Sequence, residues 1–242
     1  MLEQLTPRVY HLRFSQTKDR PSLGYIRGDR FSLMVDAGNS PVHVQEFRAA
    51  VEEAGFRPPD LVALTHSHWD HCFGLSALEI PSIACVQTRQ SLEMVSKLQW
   101  TPDELEKNAE KGIVPRLCVP RIREHFPELE TIRIALPTLT FSESMTIDLG
   151  NCTCVLQHVT SPHARDTTIV WVKEERMAFL GDAVYQELVG DVWTERPEKL
   201  RKLVEELTPL DFTMCQPAHQ RAMTKEELLT WFARRIQRAE EV

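Results

Sequence analysis

Several features that mark other protein classes are scarce in this chain of 242 residues. No apolar run approaches the length that a membrane-spanning helix needs. Residues 1–7 have neither the basic start nor the apolar core of a secretory signal. The formal net charge is −7, and lysine and arginine do not cluster into a basic stripe. We therefore expect neither a membrane nor a nucleic acid as a partner, and we expect a small-molecule substrate instead.

Disulfide spacing, linkers and repeats are also missing. The six cysteines have no spacing typical of a disulfide framework, and they lie at positions 72, 85, 118, 152, 154 and 215. A reduced, cytoplasmic protein is the simplest interpretation. No linker rich in proline, glycine and serine, no low-complexity tract and no fixed-period repeat divides the chain. We therefore predict that residues 1–242 form a single domain.

What the sequence does contain is an alternation of strand and helix patterns. Strands are predicted for residues 9–14, 24–27, 31–35, 61–65 and 83–86, with a further group between 132 and 180. Helices are predicted for residues 42–55, 197–206 and 224–238, the last with Thr224 as its cap and Glu227 three residues on. This order fits two sheets back to back with helices outside them.

One short motif carries most of the chemical information. Residues 66–71 read His-Ser-His-Trp-Asp-His and directly follow the apolar strand at 61–65. Three imidazoles and one carboxylate within one turn of backbone are the ligand types that suit zinc, with iron and manganese as rivals. The cluster therefore predicts a metal site at the end of this strand, where open sheets commonly carry their ligands.

Four ligands from one loop cannot all reach one ion, so further ligands must come from elsewhere in the chain. Three candidates downstream are His163, Asp182 and His219. Each of them follows a run that reads as a strand, at residues 153–159, 177–180 and 212–215 respectively. His158, inside the first of these runs, is a competing candidate that we interpret as packed or as a neighbour of a ligand.

At this point the chain resembles the metallo-β-lactamase-fold superfamily of metal-dependent hydrolases, whose pattern is H-x-H-x-D-H followed by a His, an Asp and a final His. The resemblance implies an α+β fold, a four-layer αββα sandwich, and two divalent metal ions, most simply zinc with iron or manganese as alternatives. It assigns His66, His68 and His163 to the first ion, Asp70, His71 and His219 to the second, and Asp182 to both.

Two further positions bear on this resemblance. Asp36, in Met-Val-Asp-Ala-Gly at 34–38, looks like the early Asp-x-Gly of the family, and it is a plausible partner that fixes the tautomer of a ligand histidine. Pro162 stands where the family usually has glycine before the third histidine. The backbone beside His163 is therefore expected to differ from the usual loop.

The implied chemistry is hydrolysis by water. Two divalent ions bridged by Asp182 and a hydroxide would lower the pKa of water toward neutrality and polarise the scissile bond. Asp70 could also orient the hydroxide or carry a proton to the leaving group. Tyr185, three residues after Asp182, matches a tyrosine of the superfamily's quorum-signal lactonases and could donate to a developing oxyanion. A lactone or carboxylic ester is therefore the preferred substrate class.

Residues 88–127 carry apolar residues at helical spacing, which predicts a helical insertion. It either packs against the body of the protein or caps the metal crevice and shapes a partly apolar pocket. Three alternatives to the lactone or ester hydrolase stay open. They are a thioester or phosphodiester hydrolase on the same site, a mononuclear iron enzyme of sulfur or oxygen redox chemistry, and a noncatalytic metal-binding protein. The sequence leaves the oligomeric state undecided.

Overall fold

The computed structural model describes residues 1–241, and it contains two β-sheets that pack face to face. The first sheet has seven strands in chain order; the first three neighbouring pairs are antiparallel and the last three pairs are parallel. Its strands are β1 (Glu3–Gln4), β2 (Val9–Leu12), β3 (Leu23–Arg27), β4 (Ser32–Val35), β5 (Leu61–Ala63), β6 (Ser82–Cys85) and β7 (Leu139–Phe141).

The second sheet has six strands. A separate two-stranded hairpin comes from the same part of the sequence. The six strands are β8 (Ser144–Asp148), β9 (Thr153–His158), β10 (Thr168–Val172), β11 (Met177–Gly181), β14 (Met214–Pro217) and β15 (Met223–Thr224). The hairpin consists of β12 (Glu187–Val189) and β13 (Val192–Thr194). Within the sheet the order is β15-β14-β11-β10-β9-β8, and only β11 and β14 pair in parallel.

Helices cover the outer faces of both sheets. They are α1 (Pro41–Glu53), α2 (Trp69–Cys72), α3 (Val86–Val95), α4 (Pro102–Glu110), α5 (Val119–His125), α6 (Pro197–Leu207) and α7 (Lys225–Glu240). Helix α7 begins at the expected cap, because the Thr224 hydroxyl accepts from the Glu227 amide at 3.1 Å while Glu227 accepts from the Thr224 amide at 2.8 Å. Among residues 1–241, no helix combines the length and the apolar character needed to cross a bilayer.

Four layers follow from the alternation of side chains along the strands. In β3, Ile26 packs between the two sheets, whereas its neighbour Tyr25 packs against the helices outside the first sheet. In β10, Val170 lies between the sheets and Ile169 faces the helices outside the second sheet. Successive side chains of a strand point to opposite faces, so strands with apolar residues on both faces must be covered on both. The predicted αββα sandwich is therefore confirmed.

The structure also differs from the sequence-based expectation in three elements. Strand β7 (Leu139–Phe141) pairs with β6 in the first sheet, although its place in the sequence suggested the second group of strands. The helical segment begins at Val86 because the Cys85 thiol accepts from the Thr88 amide and starts α3 directly after the strand. The hairpin β12–β13 was not predicted, since its strands have only three residues each and leave Val192 and Trp193 exposed.

The strand directions explain where the functional residues meet. Because β11 and β14 are parallel, the residues that follow them, Asp182 and His219, lie at the same edge of the second sheet. Strand β9 runs in the same direction, since it and β11 are both antiparallel to β10, and His163 follows it. The Thr168 amide donates to the Thr65 carbonyl at 2.7 Å, which joins this edge to the loop after β5.

Candidate metal centre

The loop that follows β5 supplies four of the seven side chains that were predicted to bind metal. His66 and His71 are completely buried, and Asp70 is 7% exposed. The Ser67 amide donates to the Asp166 carboxylate at 2.9 Å, which fixes the loop in front of helix α2. The backbone of the motif is therefore held in place by the side chain of Asp166.

The other three side chains converge on this loop, so that all seven meet in two groups. The first group contains His66, His68, His163 and Asp182, and the second contains Asp70, His71, Asp182 and His219. Within each group, the candidate ligand atoms lie within 4.8 Å of one another. His158 belongs to neither group; its Nε2 lies 2.9 Å from the Arg165 carbonyl oxygen.

Asp182 is shared between the groups through its two carboxylate oxygens. Its Oδ2 atom lies 3.3 Å from His163 Nε2 and 3.9 Å from His66 Nε2. Its Oδ1 atom lies 3.4 Å from His71 Nε2 and 3.6 Å from His219 Nε2. One oxygen thus faces each group, which is the arrangement needed for a carboxylate that binds two ions at once.

Several of these atoms are buried without a hydrogen-bond partner, which tests whether a metal would fit. His66 Nε2, His71 Nε2 and Asp182 Oδ1 have no partner among the described residues. Leaving a buried polar atom unpaired costs about 1–3 kcal/mol. Three such atoms among the candidate ligands therefore indicate that the site binds a ligand. Imidazole nitrogen and carboxylate oxygen are the donors that zinc takes, and iron and manganese accept them as well. The residues therefore fit divalent metal ions.

The ring nitrogens that face away from the site have partners of their own. His71 Nδ1 lies 2.8 Å from the Asp36 carboxylate, which also accepts from the Thr65 amide at 2.7 Å. His163 Nδ1 lies 2.9 Å from the Gln186 carbonyl oxygen, so it donates to that carbonyl. In the neutral form of each ring the proton lies on Nδ1, so Nε2 is the nitrogen that points into the site and would bind a metal ion.

Gly181, directly before Asp182, lets the two sheets come close enough to form the site. Its φ is +50°, and a Cβ at this position would lie 2.6 Å from the Thr65 hydroxyl oxygen. A larger residue would therefore push the Asp182 strand away from the loop that carries the four motif ligands.

Charges within the site shift its pKa values in opposite directions. Burial favours the neutral form of Asp182, but the His219 and His71 imidazoles outweigh it and hold the pKa of this carboxyl well below its ordinary value. Burial likewise opposes the charged form of His71, yet Asp70 and Asp182 raise its pKa well above the usual range. Desolvation by the surrounding side chains and the neighbouring His163 imidazole lower the pKa of His68 to about 4, so this ring stays neutral at physiological pH.

Tyr185 lies next to both groups. The His219 amide donates to its phenol oxygen at 3.1 Å, and its ring lies 6.1 Å from the ring of His163. Burial and the charge of Asp182 raise its pKa, so the phenol keeps its proton. Since the phenol oxygen already accepts one hydrogen bond, its O–H is available to donate into the space in front of Asp182.

The two groups open into a cleft of about 280 Å³. We call the seven candidate ligands together with Tyr185 the cleft floor. We call the remaining lining residues the cleft wall, which consists of Gln16, Asp19, Leu117 and Trp193. Leu117 comes from the helical segment between β6 and β7, and Trp193 comes from β13, where its ring is stacked 6.2 Å from His163 at an interplanar angle of 17°.

Sequence reasoning found the cleft floor and the helical segment that contributes Leu117 to the wall, but it missed Gln16, Asp19 and Trp193. Asp19 follows a short 3₁₀ turn and has a φ of +47°, and burial and the nearby charge of Asp70 raise its pKa. Nothing in the local sequence distinguishes it from a surface aspartate. Beside His163, which Pro162 precedes, the Ser161 hydroxyl accepts from the His163 amide at 3.0 Å.

Comparisons with known proteins agree with this architecture. A metallo-β-lactamase from Pontibacter korlensis superposes with a TM-score of 0.63 at 13% identity, covering 98% of both chains. A B3 metallo-β-lactamase with an active-site glutamic acid gives a TM-score of 0.66 at 14% identity, covering 98% of this chain and 87% of that one. A sec-alkyl sulfatase gives 0.64 at 14% identity, covering 98% of this chain and 41% of that one.

At such identities these likenesses establish the fold alone. A search of curated proteins finds no match to the sequence. The sequence model of the metallo-β-lactamase superfamily, however, matches residues 19–219, a span that begins at Asp19 and ends at His219. Since this span covers most of the chain and includes all seven candidate ligands, the protein belongs to the metallo-β-lactamase superfamily.

Proposed function

We propose that this protein is a binuclear metal-dependent hydrolase that cleaves a small-molecule lactone or carboxylic ester. Membership of the superfamily and the histidine and aspartate site support metal-dependent hydrolysis as the general activity. The binding of two ions is supported by the carboxylate of Asp182, which directs one oxygen to each group of imidazoles.

The proposed cofactor is a pair of divalent ions, most simply zinc, with iron or manganese as alternatives. His66, His68 and His163 would hold one ion, Asp70, His71 and His219 the other, and Asp182 both. When bound, such ions lower the pKa of water and polarise the oxygen of the scissile bond.

The chain's own residues prepare the site for that chemistry. Asp36 and the Gln186 carbonyl hold the Nδ1 protons of His71 and His163, so these rings offer Nε2 without rearrangement. Asp70 Oδ2 lies 3.1 Å from His219 Nε2 and 3.3 Å from His71 Nε2, and it lines the cleft. We assign it the further role of orienting the attacking water or accepting its proton.

Tyr185 is the basis for choosing a carbonyl substrate. Its phenol is protonated, lines the cleft and accepts from the His219 amide, so its O–H can donate to an oxygen bound beside Asp182. A developing oxyanion on a lactone or ester carbonyl is the group that gains most from such a donor.

We further propose that the chain is one domain and that residues 88–127 are an insertion within it. Buried residues of this segment, Leu92, Leu105 and Ile122, share one apolar cluster with Tyr25 and Phe47 of the body. The segment also contributes Leu117 to the cleft wall. It therefore both packs against the body of the protein and shapes the pocket. The six cysteines are buried free thiols, which supports our proposal of a reducing, cytoplasmic setting.

The test is elemental analysis of the purified protein combined with a hydrolysis panel on the metal-loaded form. We expect two zinc or manganese ions per chain and oxygen-independent hydrolysis of lactones or carboxylic esters. A single iron with oxygen consumption would identify the redox alternative. Turnover confined to thioesters or phosphodiesters would overturn the proposed substrate class. Inactivity of metal-loaded protein on the whole panel would overturn the proposal that the protein is an enzyme.

A further inference from the structure

The cleft wall places a carboxylate, that of Asp19, in the same cleft as the candidate ligands. The backbone on both sides of Asp19 is fixed, because Asn39 Nδ2 donates to the Lys18 carbonyl at 3.3 Å and to the Asp19 carbonyl at 3.2 Å. Ser15 and Arg20 exchange backbone hydrogen bonds of 2.9 and 3.0 Å, which close the loop. Asp19 thus lies in a braced turn and lines the cleft together with Asp70 and His219.

This carboxylate has no lysine or arginine partner among the described residues that line the cleft. Arg121, whose charge reaches Asp19, is engaged with the Glu124 carboxylate at 2.8 Å and the Thr17 carbonyl at 3.0 Å. Arg116, next to Leu117, is paired with Asp191 at 4.0 Å. An anionic substrate would therefore meet a negative wall and find no side-chain cation to pair with.

The other two wall residues are apolar and exposed. Leu117 is 43% exposed and Trp193 is 49% exposed, although both are large hydrophobic side chains. They come from segments far apart in the chain, and the ion pair of Arg116 with Asp191 joins these two segments. Apolar side chains left open beside a polar floor are typical of a pocket that buries an apolar part of its ligand.

We propose that the cleft selects uncharged esters or lactones that carry an apolar substituent, and that Asp19 is the residue that discriminates against anionic substrates. The substituent lies between Leu117 and Trp193 while the reacting carbonyl faces Tyr185. This inference rests on the proposed function and narrows its substrate class. Metal ions on the floor would attract any anion, so a carboxylate on the wall is what separates neutral from anionic substrates of the same shape.

Charge selection is tested with matched phenyl esters of hexanoate, adipate (as the monoester) and 6-aminohexanoate, which differ in the charge at the chain end. We expect metal-loaded wild-type protein to prefer the neutral hexanoate over the anionic adipate. Asp19→Asn should raise kcat/KM for the adipate ester relative to the hexanoate ester by roughly tenfold, and it should lower the relative rate of the cationic ester. Asparagine tolerates the left-handed backbone of this position, so the turn is kept.

Asp29→Asn is the matched control, because it removes one carboxylate outside the cleft and should leave the ratio unchanged. Gln16→Lys provides a second route to the same result, since it adds a cation to the wall and should also favour the adipate ester. Calorimetric titration with hexanamide and adipamate gives a readout independent of turnover. Asp19→Asn should strengthen adipamate binding and leave hexanamide binding and metal content unchanged.

The apolar contact is tested with acetate and hexanoate phenyl esters. Leu117→Ala should lower kcat/KM for hexanoate relative to acetate by roughly tenfold, as expected for the loss of one apolar contact surface. Ile113→Ala is the control, because Ile113 belongs to the same helical segment and is 52% exposed but does not line the cleft.

The outcomes separate this inference from the proposed function. If metal-loaded wild-type protein cleaves no ester or lactone, the proposed function fails. If it cleaves esters but takes the adipate ester as well as the hexanoate, or if neither Asp19→Asn nor Gln16→Lys changes the ratio, only the present inference is overturned.

Discussion

The cleft floor and the cleft wall are built on different principles. The floor residues lie at strand ends, are mostly buried, and have their outward-facing atoms held by Asp36, Gln186 and the backbone. The wall residues come from a turn, a helical segment and a hairpin, and two of them are large apolar side chains exposed to solvent. A buried floor at strand ends suits the binding of metal ions, whereas a wall from connecting segments that is open to solvent suits the choice of substrate.

The difference between the cleft floor and the cleft wall leads to a general expectation. Changes in the floor should affect metal binding or turnover on every substrate alike. Changes in the wall, such as those at Asp19 and Leu117, should alter the ranking of substrates and leave metal content intact. Three substitutions, at Asp182, Tyr185 and Asp36, test the expectation for the floor in order of decreasing effect, and a fourth, at His43, tests stability in acid.

Asp182→Asn should have the largest effect. It removes the charge that both groups of imidazoles share, and the amide offers only one oxygen where the carboxylate offers two. Losing several kcal/mol of transition-state stabilisation by the metal ions corresponds to a decrease on the order of 1,000-fold in kcat/KM. Elemental analysis should find fewer than two ions per chain. A variant that keeps two ions and full turnover would contradict the bridging role.

Tyr185→Phe should come next, with metal content unchanged. Removing a hydrogen-bond donor to a developing oxyanion costs on the order of 100-fold in kcat. The decrease should appear on all lactones and esters tested, because the phenol contacts the shared carbonyl. Tyr10→Phe is the control, since its phenol donates only to the Pro7 carbonyl at 3.3 Å, far from the cleft in the first sheet. Equal turnover of Tyr185→Phe and wild-type protein would remove Tyr185 from the reaction.

Asp36→Asn should weaken metal binding more than chemistry. Its carboxylate holds His71 Nδ1 at 2.8 Å, and losing such a partner typically costs about 10- to 100-fold in metal affinity. Competition with a chelator measures this affinity directly, and turnover should recover at high metal concentration. If metal affinity equals that of wild-type protein, His71 does not depend on Asp36.

The smallest effect concerns stability in acid. His43 in α1 is buried against Gly38, where a Cβ would lie 2.5 Å from the His43 Nδ1 atom, and burial lowers the pKa of His43 to about 3. The unfolded chain takes up this proton below about pH 6.5, while the folded chain does not until about pH 3. The stability due to neutral His43 is therefore complete above pH 6.5 and lost as the pH falls toward 3.

His43→Gln should flatten the pH dependence of the melting temperature. Between pH 6.5 and 5 the difference amounts to about 2 kcal/mol, or roughly 4–8 °C in a chain of this size. Metal ligands titrate in both proteins, so the difference between the two curves isolates His43. Parallel curves for the wild-type protein and the variant would show that His43 does not contribute.

The sequence by itself determined the fold class and the cleft floor. Six residues of the motif at 66–71 hold four candidate ligands, and His163, Asp182 and His219 each follow a recognisable strand, so local pattern was enough to name them. The alternation of strand and helix patterns likewise predicted two sheets with helices outside them.

Only the tertiary structure decided how these residues are used. It turned the two oxygens of Asp182 to different groups, left His158 outside both, and placed Asp36 on His71. It also brought Asp19, Leu117 and Trp193 to one cleft from three distant segments. Such walls form through contacts between residues far apart in the chain, and no local pattern of hydrophobicity or spacing encodes which distant segments will meet.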